Sequence, residues 1–257
     1  PVYTRTPAVL AATAATLQQL SGGRFLMGLG TSSERMIENW HGLPFSRPLS
    51  QVRETTTLLR QILSGDKSDF QGDCLRSSGY RQAAVDTPVP IYLAALRPRI
   101  LALAAEIADG VVLNLFPRPA LSRIRAILSE GASGAGRELA SLEVVCRFQV
   151  AVTDDTGPLI EGLRYFLAPY FSQSVYNRFL AWCGYPEVAA EIAEGWKQKD
   201  RQRTMAALSD EMLHDIAVIG DREYCQQRLR DYAAAGIHTM VLSCPSLDAD
   251  TRQRTFE

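Results

Sequence analysis

Short apolar runs alternate with longer helix-forming runs along most of the 257 residues, and this rhythm leaves few architectures open. Strands are expected at 25–29, 89–94, 111–114, 142–152 and 237–242, separated by stretches long enough for a helix. Parallel neighbours need such crossovers, because a short turn can only return the chain antiparallel. Helix starts carry their own signals. Thr6-Pro7 opens a helix running to about Leu20, Pro48 one that ends before Gly65, and Pro98 one closed by Asp109-Gly110. Pro119 opens another that runs into Gly131-Ala132-Ser133-Gly134-Ala135-Gly136, read as a flexible connector, and Asp221 caps a helix ending near Ala235-Gly236. Segments 70–72 and 80–83 flank a Gly- and Ser-containing turn and predict a small surface hairpin. Residues 154–217 break the rhythm as a helical, aromatic-rich insertion.

Composition removes several function classes. A formal charge of −1 gives no global attraction to nucleic acid or anionic lipid. No run approaches the roughly 18 apolar residues of a membrane span, no secretory leader is expected, and a cytoplasmic location is expected by default. The five cysteines, 74, 146, 183, 225 and 244, are scattered without a C-x-x-C pair and read as reduced, mostly buried thiols. His41, His214 and His238 are too dispersed for a spacing-based metal site, so no metal is expected. Neither a nucleophile elbow nor a nucleotide phosphate loop is present.

The ligand-facing signal is Gly23-Arg24-Phe25-Leu26-Met27-Gly28-Leu29-Gly30-Thr31-Ser32-Ser33, a strand entering a small-residue, hydroxyl-rich loop. Gly28 and Gly30 remove side chains that would block close approach, and Thr31 and Ser32 offer hydroxyls and amides to an anion or a flat ring. The spacing begins like a dinucleotide fingerprint, but Ser33 replaces its third glycine. Downstream, Ala94-Ala95-Leu96-Arg97-Pro98 joins a strand to a helix start, where free amides and the positive dipole end suit an anion, with Arg97 adding charge.

Taken together, Leu20-Ser21-Gly22-Gly23-Arg24, Gly28-Leu29-Gly30-Thr31 and Trp40-His41-Gly42 resemble the luciferase-like monooxygenase family, in particular its deazaflavin-dependent oxidoreductases. Pro90 to Pro98 followed by Ala105-Glu106-Ile107-Ala108-Asp109-Gly110-Val111-Val112 is similar to a later strand, phosphate turn, helix and strand of that family. The resemblance implies a (βα)8 barrel as one domain over 1–257, with the five strands as its fourth to eighth and the first βα units lacking, and with 154–217 as an insertion within it. It implies an oxidoreductase that moves hydride between coenzyme F420 and an organic substrate. An FMN-dependent monooxygenase using molecular oxygen, or a non-catalytic family member, are the alternatives.

In that frame Gly28, Gly30, Thr31, Ser32, Ala94, Ala95, Leu96 and Arg97 are the expected cofactor-binding residues. Tyr3, Arg5, Trp40 and Asn114 are the expected substrate-lining residues, with Phe116 and 146–149 among further strand-end candidates. His41 is the catalytic candidate, either as a proton carrier or as an imidazole bonded to backbone. The aromatic insertion is expected to act as a lid over an apolar substrate pocket, or else as packing or the face of a dimer, a homodimer being the expected assembly. Arg164, Arg178 and Lys197 read as solvated helix charges.

Overall fold

The computed structural model describes residues 1–257. In chain order the elements are α1 (Pro7–Leu20), β1 (Met27–Leu29), α2 (Pro48–Leu63), β2 (Asp69–Gln71), β3 (Arg76–Ser78), β4 (Ile91–Ala94), α3 (Pro98–Ile107), β5 (Gly110–Asn114) and α4 (Leu121–Gly134). There follow β6 (Glu143–Val152), α5 (Gly157–Phe171), α6 (Ser174–Trp182), α7 (Pro186–Lys197), α8 (Arg201–Ala206), α9 (Asp210–Ile216), β7 (Val218–Gly220), α10 (Arg222–Ala234), β8 (Thr239–Ser243) and α11 (Ala249–Phe256). Prolines at the first turns of α1, α2 and α3 fall where a missing N–H costs nothing. Asp221 accepts the Tyr224 N–H at 2.7 Å, as its place before α10 predicts, whereas the Thr6 side chain makes no capping bond.

The chain forms two compact units, Pro1–Val112 with Ile127–Leu142, and Leu113–Ala126 with Glu143–Glu257. In the first, β1, β4 and the start of β5 are parallel neighbours, with Leu29 beside Leu93 and Ala94 beside Val112. Met27 and Leu29 are buried on one face while Gly28 is exposed on the other. On that second face the Tyr92 ring covers Gly110, where a Cβ would stand 2.8 Å from the ring. Side-chain clamps hold the helices to the strands. Gln18, 3% exposed, donates to Pro88 O at 2.9 Å and accepts the Phe25 N–H at 2.9 Å. Asp109 accepts from Arg60 at 2.9 Å and from the Ile91 N–H at 2.8 Å, which ties α2 to the start of β4.

In the second unit β6 is central to two parallel pairings: residues 145–149 pair with β8 and 150–152 with β7. The helices from α5 to α9 bury Ile160, Leu167, Phe171, Leu180, Ile192 and Leu213 in one apolar cluster.

Several local expectations need correction. The hairpin pairs β2 with β3, so its second arm starts at Arg76 and not at 80; the tight return is favoured because Glu54 accepts the N–H groups of Asp73, Cys74 and Leu75. The run 131–136 is helical as far as Gly134, and Gly131 sits where a Cβ would meet Ala102 O at 2.8 Å, so that glycine serves close helix packing. Residues 146–149 are not at a strand end, because β7, an unexpected strand, extends the pairing of β6 to Val152. Arg164 is not a solvated charge. Its side chain is largely buried, donating to Leu208 O at 2.8 Å and pairing with Glu161 and Asp210.

Candidate active site

The carboxyl ends of β1 and β4 lie side by side, and this is where α/β enzymes gather their ligand-binding loops. Beyond the last paired residues, Leu29 and Leu93, stand Gly30 and Ala94, and a Cβ on Gly30 would lie 3.3 Å from the Ala94 Cβ. A Cβ on Gly28 would meet nothing within 4 Å. Gly28, Gly30 and Ala94 therefore form a bed of backbone and methyl, open enough at Gly28 to admit a flat group.

The loop after β1 is turned by Ser32, whose φ of 62° is left-handed, a conformation non-glycine residues hold only when their surroundings impose it. Thr31 donates its hydroxyl to Ser32 O at 3.1 Å, and Ser33 Oγ accepts the Met36 N–H at 3.4 Å. The chain then enters a π-helical turn over Met36–Trp40, an uncommon conformation often found at functional sites. Trp40 and His41 close that turn and are exposed; Trp40 shows 67% of its surface.

The N-terminal segment flanks the strand end. Val2 donates its N–H to Gly30 O at 3.0 Å, and Tyr3 donates its hydroxyl to Ser46 O at 2.6 Å while its ring lies 5.1 Å from that of Phe45. Burial, and secondarily the Cys74 thiol, push the Tyr3 phenol up to about 12. Tyr3 therefore stays protonated at neutral pH and serves as a wall, not as a base. Arg5 is exposed.

At the second strand end the backbone narrows the expected anion site. The Ala95 N–H donates to Val112 O at 3.1 Å, so it belongs to the sheet and is not offered to a ligand. Pro98 has no N–H, and Ile100 and Leu101 donate to Arg97 O at 3.1 and 3.0 Å. The amides without a backbone partner are those of Leu96 and Arg99, at the positive end of the α3 dipole. Arg97 is exposed beside them, its backbone extended at the N-cap.

Asn114 ends β5, and its Oδ1 is buried without a hydrogen-bond partner. The next residue, Leu115, is left-handed at φ 51° and buried, so the strand leaves Asn114 through a strained step. Phe116 is buried too, edge-on to Tyr232 with ring centroids 6.3 Å apart.

Sequence reasoning missed the π-helical turn, the Arg99 amide and the anchoring of Tyr3 on Ser46. The first has no composition signal, the second follows from proline at 98, and the third is a contact across 43 residues.

The chain is similar to known proteins over most of its length. The family model for luciferase-like monooxygenases matches residues 1–239. A Mycobacterium tuberculosis protein provisionally named a coenzyme F420-dependent oxidoreductase is 30% identical over 95% of this chain and 77% of its own length. The 5,10-methylenetetrahydromethanopterin reductase of Methanolobus tindarius is 26% identical over 95% of this chain and 74% of its own. Among solved structures, the coenzyme F420-dependent tetrahydromethanopterin reductase of Methanopyrus kandleri superposes with a TM-score of 0.75 at 24% identity, over 98% of this chain and 77% of that one. An F420-dependent secondary alcohol dehydrogenase in complex with an F420–acetone adduct gives a TM-score of 0.75 at 21% identity, over 100% of this chain and 74% of that one. The fold is thus the α/β, parallel-stranded fold of the luciferase-like TIM-barrel enzymes, and the chain belongs to the luciferase-like monooxygenase family.

Proposed function

We propose that this protein is a coenzyme F420-dependent oxidoreductase that transfers hydride between the deazaflavin and a small organic substrate. The observation that carries the reading is the bed of Gly28, Gly30 and Ala94 at two adjacent strand ends, where a Gly28 Cβ would meet nothing within 4 Å. Names of relatives support it, since both a curated relative and two structural neighbours are described by F420 dependence. When bound, the deazaflavin supplies two-electron chemistry as a hydride donor or acceptor.

The protein's contribution is placement. Gly28 and Gly30 let a planar ring approach the backbone, and Thr31 and Ser32 edge it with a loop fixed by the left-handed serine. The Leu96 and Arg99 amides, with the α3 dipole and the Arg97 charge, hold a phosphate; Ala94 and Ala95 shape the turn that presents them. Tyr3 walls the site with its hydroxyl fixed on Ser46. Trp40 and Arg5, both exposed, offer a ring face and a cation to substrate. His41 is the group suited to hold or move a proton, at its imidazole nitrogens.

Expression in a host that makes both flavins and deazaflavins tests the reading. The absorbance spectrum of the purified protein is expected to show deazaflavin; FMN alone would overturn the assignment.

A further inference from the structure

The second unit carries a group of polar side chains outside the site described above. Strand residues two apart share a face, so Arg147 and Gln149 stand together on β6, and the register sets Val241 beside Arg147 and Ser243 beside Gln149. Arg147 is exposed and donates from Nη2 to Ser243 Oγ at 3.1 Å, with no carboxylate paired to it. Glu143, four residues earlier on the same face, accepts from the Thr239 hydroxyl. Gln149 is 7% exposed, and its side-chain amide, not among the buried unpartnered groups, makes no hydrogen bond with the protein.

An amide that reaches solvent and takes no partner in the protein can bond an incoming ligand at little desolvation cost. Its neighbours indicate what would satisfy it. A guanidinium has donors only, and Ser243 Oγ, already accepting from Arg147, keeps its own proton to donate. The Gln149 amide adds two N–H donors to the same face. Gln149 and Ser243 also form the last paired rung of β6 with β8, at the carboxyl end of β8, the end at which parallel α/β sheets bind ligands.

We propose that Arg147, Gln149 and Ser243 form a recognition site for an oxyanion, a carboxylate or phosphate group carried by a small-molecule ligand. Arg147 supplies charge and a two-pronged donor, Ser243 orients it, and Gln149 completes the donor set. The site stands on these residues alone and does not depend on the identity of the cofactor.

The test is an NMR titration of the intact chain, following arginine Nε–Hε resonances with inorganic phosphate and with acetate as probes. One resonance, identified as Arg147 by its absence in Arg147→Gln, is expected to shift saturably at millimolar probe. Ser243→Ala should weaken that binding several-fold and Arg147→Gln at least tenfold, with circular dichroism unchanged. The side chain is exposed, so folding does not depend on its charge. If the Arg147 resonance fails to shift saturably with either anion, or if Arg147→Gln binds both as wild type does, the proposal is overturned. A parallel titration with coenzyme F420 separates the sources of the anion. Weakened F420 binding in Arg147→Gln assigns the oxyanion to the cofactor, and unchanged binding assigns it to the substrate. Failure of wild type to bind F420 would end the cofactor reading while leaving the phosphate and acetate result to decide this site.

Discussion

Gly30 and Ala94 stand opposite one another across the ends of two parallel strands, so close that a Cβ on Gly30 would lie 3.3 Å from the Ala94 methyl. Gly28, two residues earlier, faces space that nothing in the protein fills within 4 Å. This asymmetry separates a folding requirement from a binding requirement. Gly28→Val introduces no clash with the protein and suits a strand, so thermal stability should hold within about 0.5 kcal/mol, the usual effect of a surface substitution. Affinity for F420 should fall at least tenfold, about 1.4 kcal/mol, in a fluorescence titration. Unchanged affinity would place the ring elsewhere.

Gly30→Val should be worse on both counts. Its side chain enters the contact with Ala94 as well as the bed, so both the unfolding midpoint and cofactor affinity should drop. A variant that keeps full affinity argues against the proposed bed.

Arg97→Glu places a carboxylate beside the Leu96 and Arg99 amides. Cofactor affinity should weaken by about 1–3 kcal/mol if a phosphate docks there. An effect of that size should also shrink with added salt; a salt-independent loss would point to a changed turn instead.

His41→Gln is expected to leave F420 affinity nearly intact, because the imidazole sits at the exposed end of the π-helical turn, away from the glycine bed in sequence. A fall in turnover of several orders of magnitude, with binding preserved, identifies His41 as the proton carrier, whereas a change below threefold confines it to a structural role.

Stability should carry an acid signature from α2 and α3. Arg53 hydrogen-bonds Glu106 at 2.5 and 2.6 Å and thereby holds its carboxyl below the usual glutamate range. A carboxylate depressed in the folded state adds stability above its unfolded value, about 4.3, and loses it as pH falls through the folded value. Glu106→Gln should therefore be less stable than wild type at neutral pH, with the gap closing under acid. The pair is partly exposed, so the gap should be small. A gap that widens in acid contradicts the pairing.

Much of this layout was legible in the sequence because local chemistry writes it. Prolines 7, 48 and 98 mark helix starts, Asp221 marks a cap, and the five longer apolar runs mark the five strands expected. Gly28 and Gly30 mark where the strand withholds side chains, and at Gly30 the Ala94 Cβ is the neighbour that comes close. What could not be read depends on partners distant in the chain. The three residues of β7 form a strand only because β6 continues past β8 to receive them, and the hairpin register follows from Glu54 gathering three amides from 19 to 21 residues away. The Ala95 amide looked available as an anion donor because nothing local reveals that Val112 O takes it.

The central claim concerns the cofactor, and an equilibrium titration of the purified protein with coenzyme F420 and, separately, with FMN tests it most directly. Saturable F420 binding, tighter than FMN and lost in Gly28→Val while the fold is retained, is the predicted result. Tight binding of FMN with none of F420, or F420 binding indifferent to Gly28→Val, would contradict it.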